Sequence, residues 1–180
     1  MTTYTEEWVT AQARSAYAHG QASFTVRPER TALLVIDMQD EFLRPGWSPY
    51  WVPAATRMAP RLRTLVEQCR ALSVPVVRTV FDDTHLGLDR PYALQHLPHA
   101  GTGWRLRNLG RDTVVVTGTL TNYCCGTTAR QAYERGYRVV FGSDVTATDD
   151  ESRQEPELAV LRKGFALVLS ADEIAQRLTA

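Results

Sequence analysis

Two residues of this sequence stand where they can do chemistry together. Asp37 ends the uninterrupted apolar run Ala32-Leu33-Leu34-Val35-Ile36, and Cys124 closes the stretch Gly118-Thr119-Leu120-Thr121-Asn122-Tyr123-Cys124 that follows a second run, Val114-Val115-Val116-Thr117. In open parallel sheets ligands bind beyond the carboxyl ends of the strands, so polar residues that terminate buried strands converge there. A cysteine in the first turn of a helix sits among unpaired N–H groups and at the positive end of the macrodipole, both of which favour a thiolate. A carboxylate on a neighbouring strand can take the thiol proton, and the same N–H groups can hold the oxyanion of a tetrahedral intermediate. Taken singly, each residue has a plainer reading: a lone Cys is commonly a small buried hydrophobe, and an Asp after a strand is commonly a turn or cap residue.

The elements that must position this pair can be read from periodicity. Residues 4 to 18 carry Tyr4, Trp8, Val9 and Tyr17 at helical spacing and stop at Gly20, which predicts an amphipathic helix within an N-terminal extension, residues 1–30. The run ended by Asp37 is the first strand, since continuous apolar runs mark strands buried on both faces. Leu62, Leu65, Val66, Cys69 and Leu72 predict a helix from about Pro60 to Leu72, and 74–81 is the second strand. Val114 to Gly118 is the next strand, followed by a helix from about Tyr123 to Arg135 closed by Gly136 and a strand from Arg138 to Gly142. A short helix from Pro156 to Lys163 leads to the strand 165–169, and Ser170 with Glu173 forms a capping box for the last helix. Alternating β and α units of this kind predict one α/β domain over 31–180, an open, mostly parallel, Rossmann-like sheet of about five strands with helices on both faces.

Between Asp82 and Asp112 only Gly103 to Leu109 reads as helical, and the rest is a long connection carrying His85, Asp89, Arg90, His96 and His99. Loops of such length are usually lids, binding loops or disordered, and the plainer reading of this one is a solvated loop.

Composition narrows the function. The 180 residues are 44% hydrophobic and 22% charged, which is that of an ordinary globular domain able to build its own core. Twenty basic and twenty acidic residues cancel, so no overall field favours nucleic acid or anionic membranes. No apolar run is long enough to span a bilayer and the N-terminus lacks a secretory pattern, so the expected location is cytoplasmic. Cys69, Cys124 and Cys125 do not form a disulfide framework or a zinc spacing. Gly101-Thr102-Gly103 lacks the third glycine of a dinucleotide fingerprint, and no cofactor is expected.

Against this background LLVIDMQDEF at 33–42 and VVVTGTLTNYCCGTTARQAYERGYRVVFGSDVTAT at 114–148 resemble the opening signature and nucleophile segment of the isochorismatase-like cysteine hydrolases. The similarity runs from about Thr31 to Ser170. It implies that Asp37 is the general base and Cys124, the last residue of G-x-x-T-x-x-C, is the nucleophile. It also implies a non-proline cis peptide at Thr119–Leu120, aiming the Leu120 and Cys124 N–H groups at one oxyanion. The implied reaction is thioester-mediated hydrolysis of a small amide, carbamoyl or related C–N compound, without a metal or other cofactor, in a chain that forms homo-oligomers. Phe42, Trp47, Trp51, His85, Trp104 and Tyr123 are the candidate substrate-contacting residues. Cys125, spaced with Ala129 and Ala132, is read as core.

The sequence departs from that family at one point. The family triad includes a lysine at the end of its third strand, whereas Lys163 is the only lysine here and precedes the final strand. The strand bearing that lysine is absent, which predicts a sheet ordered 2-1-4-5-6 in the family's strand numbers. Arg90, Arg105 and Arg107 are the nearest cations by sequence, but arginine does not exchange protons as lysine does. Asp82, Asp83 and His85 do not have a metal-binding spacing of the family. A rival reading therefore stands beside the enzyme: an impaired or shortened relative that binds a small molecule or acts as an oligomer subunit. A third is vinyl-ether hydrolysis that needs Asp37 but not Cys124.

Overall fold

The computed structural model of the chain describes residues 4–14, 23–81 and 106–180. In chain order it contains α1 (Glu6–Arg14), β1 (Thr31–Ile36), α2 (Asp40–Leu43), α3 (Pro53–Ala71), β2 (Val76–Arg78) and β3 (Thr113–Thr119). A π turn (Thr121–Cys125) then leads into α4 (Gly126–Glu134), followed by β4 (Arg138–Ala147), α5 (Gln154–Gly164), β5 (Leu167–Leu169) and α6 (Ala171–Thr179). All pairings are parallel and the order is β2-β1-β3-β4-β5, the predicted arrangement. The family's lysine-bearing strand would lie beyond β2, so among the described residues β2 is an edge and pairs with β1 alone.

Every residue of β1 and β3 is buried, which is why their sequences are apolar throughout rather than alternating. Their alternate side chains divide between two cores. Leu33, Val35, Val115 and Val140 pack with Leu62, Leu65 and Val66 of α3 and Ile174 and Leu178 of α6. Leu34, Ile36, Val114, Val116 and Phe141 pack on the other face with Ala129 of α4 and Leu158 and Leu161 of α5.

Several boundaries move from those expected. α3 begins at Pro53, and Pro60 lies inside it rather than starting it. Proline suits the first helical turn, and Pro53 occupies that position. β4 continues past Gly142 to Ala147, with a register shift against β3 between Val116 and Gly118. β2 and β5 are shorter than the apolar runs suggested, because pairing ends before the apolar pattern does. The capping box is formed by Ser170 and Glu173. α1 buries no residue and leaves Trp8 and Val9 exposed, while Lys163 donates a hydrogen bond to the Ala13 carbonyl. None of the helices among the described residues is long and apolar enough to cross a membrane.

Candidate active site

Three parallel strands deliver the site from the same end of the sheet. Asp37 follows β1, Thr79 follows β2, and Leu120 to Cys124 follow β3. Asp37 adopts a left-handed backbone with φ 49° and is only 6% exposed. Asp tolerates that region better than most residues, although the conformation still costs on the order of 1 kcal/mol. Its carboxylate Oδ1 accepts a 2.7 Å hydrogen bond from the Thr79 hydroxyl. Its carbonyl accepts from the Thr119 hydroxyl at 3.3 Å.

Gly118 makes this convergence sterically possible. It pairs with Ile36, the residue before Asp37, and has φ +115°. The Thr119–Leu120 peptide that follows is cis, at the bond where the resemblance puts it. The chain then enters the π turn, closed by the Gly126 N–H donating to the Thr121 carbonyl. Wide turns of this type are common at functional sites because they displace a side chain from the regular helical path. Gln154 of α5 braces the turn: its Oε1 accepts from the Thr121 hydroxyl at 2.8 Å and its Nε2 donates to the Thr146 carbonyl at 3.2 Å. Thr148 donates to the Asn122 side chain at 2.5 Å.

Cys124 is buried and its thiol is hydrogen-bonded to Asp37. Here the structure corrects the expectation of a stabilised thiolate. Burial first, then the Asp37 charge and hydrogen bond, push the thiol up to about 12 from an ordinary value of 9.0. The N–H groups of Leu120 and Cys124 interact with the sulfur and pull the other way, but they are outweighed. At rest Cys124 is a neutral thiol hydrogen-bonded to a carboxylate. Cys125 is fully enclosed, its sulfur 3.8 Å from the Thr117 carbonyl, consistent with the core role read from its spacing.

The same burial gives a stability prediction. Burial alone pushes Cys69 up to about 11, and Cys125 is also raised well above its ordinary range. Each thiol holds its proton more tightly folded than unfolded. Its contribution is therefore complete below pH 9.0 and is lost as pH rises through that value toward about 11 for Cys69 and about 12 for Cys124. Unfolding free energies from urea titrations are expected to be level from pH 7 to 8.5 and to fall above pH 9, by about 1.4 kcal/mol per pH unit for each titrating thiol. Cys69→Ala should lower stability at neutral pH and flatten the alkaline slope, and an unchanged slope would contradict the assignment.

The other expected site residues are distributed unevenly. Tyr123 sits beside Cys124, half-buried between the two cores. Phe42 is enclosed, its ring centroid 6.3 Å from that of Phe81. Trp51 donates from Nε1 to the Thr56 hydroxyl at 2.9 Å, and Trp47 is 61% exposed with the Arg44 guanidinium over its ring. His85, Trp104, Arg90, Arg105 and the Asp82, Asp83, His85 group lie outside the described residues. Arg107 is exposed and precedes β3, on the chain leading into the opposite end of that strand. Among the described residues, no group of three or more His, Cys, Asp or Glu is placed to hold a metal ion. Sequence reasoning missed Thr79 and Gln154; the only signal for Thr79 was a polar residue near the end of an apolar strand.

The isochorismatase domain family matches this chain over residues 31–104 and 99–173. Nicotinamidase 3 of Arabidopsis thaliana is 42% identical over 73 residues, covering 41% of this chain and 37% of that protein. A streptothricin hydrolase of Streptomyces noursei is 33% identical over 147 residues, covering 69% of this chain and 57% of the relative. The chain thus spans about half the length of the curated relatives it matches. In fold it is similar to a cysteine hydrolase from Pseudomonas syringae pv. phaseolicola 1448A, with TM-score 0.74 and 23% identity over 87% of this chain and 96% of that one.

Proposed function

Because this chain belongs to the isochorismatase domain family, we propose that it is a cysteine-dependent hydrolase of a small amide, carbamoyl or related C–N compound. The observation that carries the reading is the buried Cys124 thiol hydrogen-bonded to Asp37, with the Leu120 and Cys124 N–H groups at the sulfur. A nicotinamidase and a streptothricin hydrolase among the relatives support the substrate class.

The cycle follows from those positions. As Sγ of Cys124 attacks the substrate carbonyl carbon, the thiol proton passes to Asp37, so a free thiolate never has to persist. The Leu120 and Cys124 N–H groups hold the oxyanion of the tetrahedral intermediate. Its collapse breaks the C–N bond, and Asp37 returns the proton to the departing nitrogen. Water then attacks the thioester, giving a proton to Asp37; collapse releases the acid and the sulfur recovers its proton. Asp37 carries every proton transfer in this scheme, because the sole lysine, Lys163, lies on α5 bonded to the Ala13 carbonyl.

The test is ammonia or amine release from a panel of small primary amides and carbamoyl compounds, nicotinamide included, with mass spectrometry of the rapidly quenched enzyme. An acyl adduct on Cys124 and its loss in Cys124→Ala are expected. Undiminished turnover in Cys124→Ala would overturn the reading. The lack of the family lysine favours a second reading, a small-molecule binder that does not turn over; ligand binding without an adduct would identify it.

A further inference from the structure

We propose that Thr79 is a positioning residue for the Asp37 carboxylate and that Gln39 in turn holds Thr79 in place, an arrangement that orients the general base in a chain lacking the family lysine. The proposal rests on the reading of Asp37 as the proton acceptor.

The hydrogen bonds around Asp37 are unusually concentrated on one residue of the neighbouring strand end. Thr79 donates its hydroxyl to Asp37 Oδ1 at 2.7 Å. The Asp37 N–H is shared between the Thr79 carbonyl and hydroxyl oxygens, each at 3.2 Å. The Thr79 N–H donates to the Val35 carbonyl at 3.1 Å, which continues the β1–β2 ladder one step past Arg78. A hydroxyl has one hydrogen, and here it is given to the carboxylate. One oxygen is thereby fixed, which restrains rotation of the group that must face the Cys124 thiol.

What keeps Thr79 there is equally specific. Gln39, two residues after Asp37, donates from Nε2 to the Phe81 carbonyl at 3.0 Å and accepts from the Phe81 N–H on Oε1 at 2.9 Å. A primary amide offers the same donor and acceptor pair as a peptide group. Its side chain therefore serves as one more rung beyond the β1–β2 ladder. The segment from Thr79 to Phe81 is pinned at both ends, with the threonine hydroxyl between the pins and the base.

A carboxylate with one oxygen fixed by the Thr79 hydroxyl faces the thiol whose proton it takes; without that hydrogen bond fewer orientations of the group serve. Alkylation of Cys124 by iodoacetamide at pH 7, followed by site-resolved mass spectrometry, reads this without a substrate. Thr79→Val is expected to slow that alkylation and to lower kcat for amide turnover at least about tenfold each, with KM little changed, the loss expected for one hydrogen bond to a charged group. Thr79→Ser should restore both. If Thr79→Val fails to fold by circular dichroism, Gln39→Met, which frees Phe81 without touching the carboxylate, should slow alkylation in the same direction by less. An alkylation rate that matches the parent's in Thr79→Val, or in Gln39→Met where that variant stands in, overturns the proposal, as does a Thr79→Ser as impaired as the valine. Slowed alkylation in a protein that hydrolyses none of the amides would leave this device standing and remove the hydrolase reading.

Discussion

Asp37→Asn is expected to lower amide turnover by about a thousandfold, within the range general-base catalysis supplies, while making Cys124 more reactive to iodoacetamide above pH 9. The two effects oppose each other because Asp37 acts on the thiol in two ways. Its charge and hydrogen bond help to push Cys124 up to about 12, so removing them lowers the thiol pKa and raises the thiolate fraction in alkaline solution. Each unit of that decrease is worth roughly tenfold in thiolate. Burial, the largest cause, remains, so the variant's thiol still lies above its ordinary value. Below neutrality the variant also lacks a group to take the proton, and alkylation there should be slower than in the parent. The two alkylation–pH curves therefore cross. A variant slower at every pH would mean that Asp37 does not raise the thiol, and retained turnover would mean that it is not the base. If Asp37→Asn abolished turnover and Cys124→Ala did not, the reading of a vinyl-ether hydrolysis that needs no cysteine would be revived.

Gly118→Ala should destabilise the fold on the order of 3 kcal/mol or more, through backbone strain and overlap together. A Cβ at this position would lie 2.0 Å from the Ile36 carbonyl oxygen and 2.6 Å from its nitrogen, and the residue already has φ +115°. Both obstructing atoms are backbone of a central, fully buried strand, so no rotamer change relieves the contact. Gly136 is the internal control. It shares a positive φ, +81°, but nothing lies within 4 Å of its Cβ position. Gly136→Ala should cost only about 1 kcal/mol, the conformational penalty alone. Urea denaturation of the two variants checks the difference, and equal losses would show that the close approach of β1 and β3 is not what selects glycine. The consequence reaches the site, because the Ile36–Gly118 approach places the start of the Asp37 turn beside the chain that carries Cys124.

The fold was legible where burial was continuous. The apolar runs of β1 and β3 could only be strands enclosed on both faces, and the Ser170–Glu173 pair marked a helix start through local hydrogen bonding. Boundaries were less legible where pairing rather than polarity decides them. Val74 to Phe81 reads as one strand, yet regular pairing is confined to Val76–Arg78 because β2 is an edge among the described residues. Pro60 reads as a helix start, yet Pro53 supplies one a full two turns earlier.

The sequence by itself determined the α/β class and marked Asp37 and Cys124 as the candidate pair. The class follows from the alternation of apolar strands and helices along the chain, and the candidates from polar residues at the ends of two such strands, whereas the sheet order was implied by the family resemblance. Only the tertiary structure decided how tightly the Cys124 thiol holds its proton and which side chains hydrogen-bond around Asp37. A position near a helix start argues for a thiolate, but the environment of Cys124 is set by how deeply it is buried and by the carboxylate across from it, just past the end of another strand. Thr79 and Gln39 bear on Asp37 through contacts spanning 42 residues between Asp37 and Thr79 and between Gln39 and Phe81. Local pattern carries no record of such contacts, since the fold alone brings those atoms within hydrogen-bonding distance.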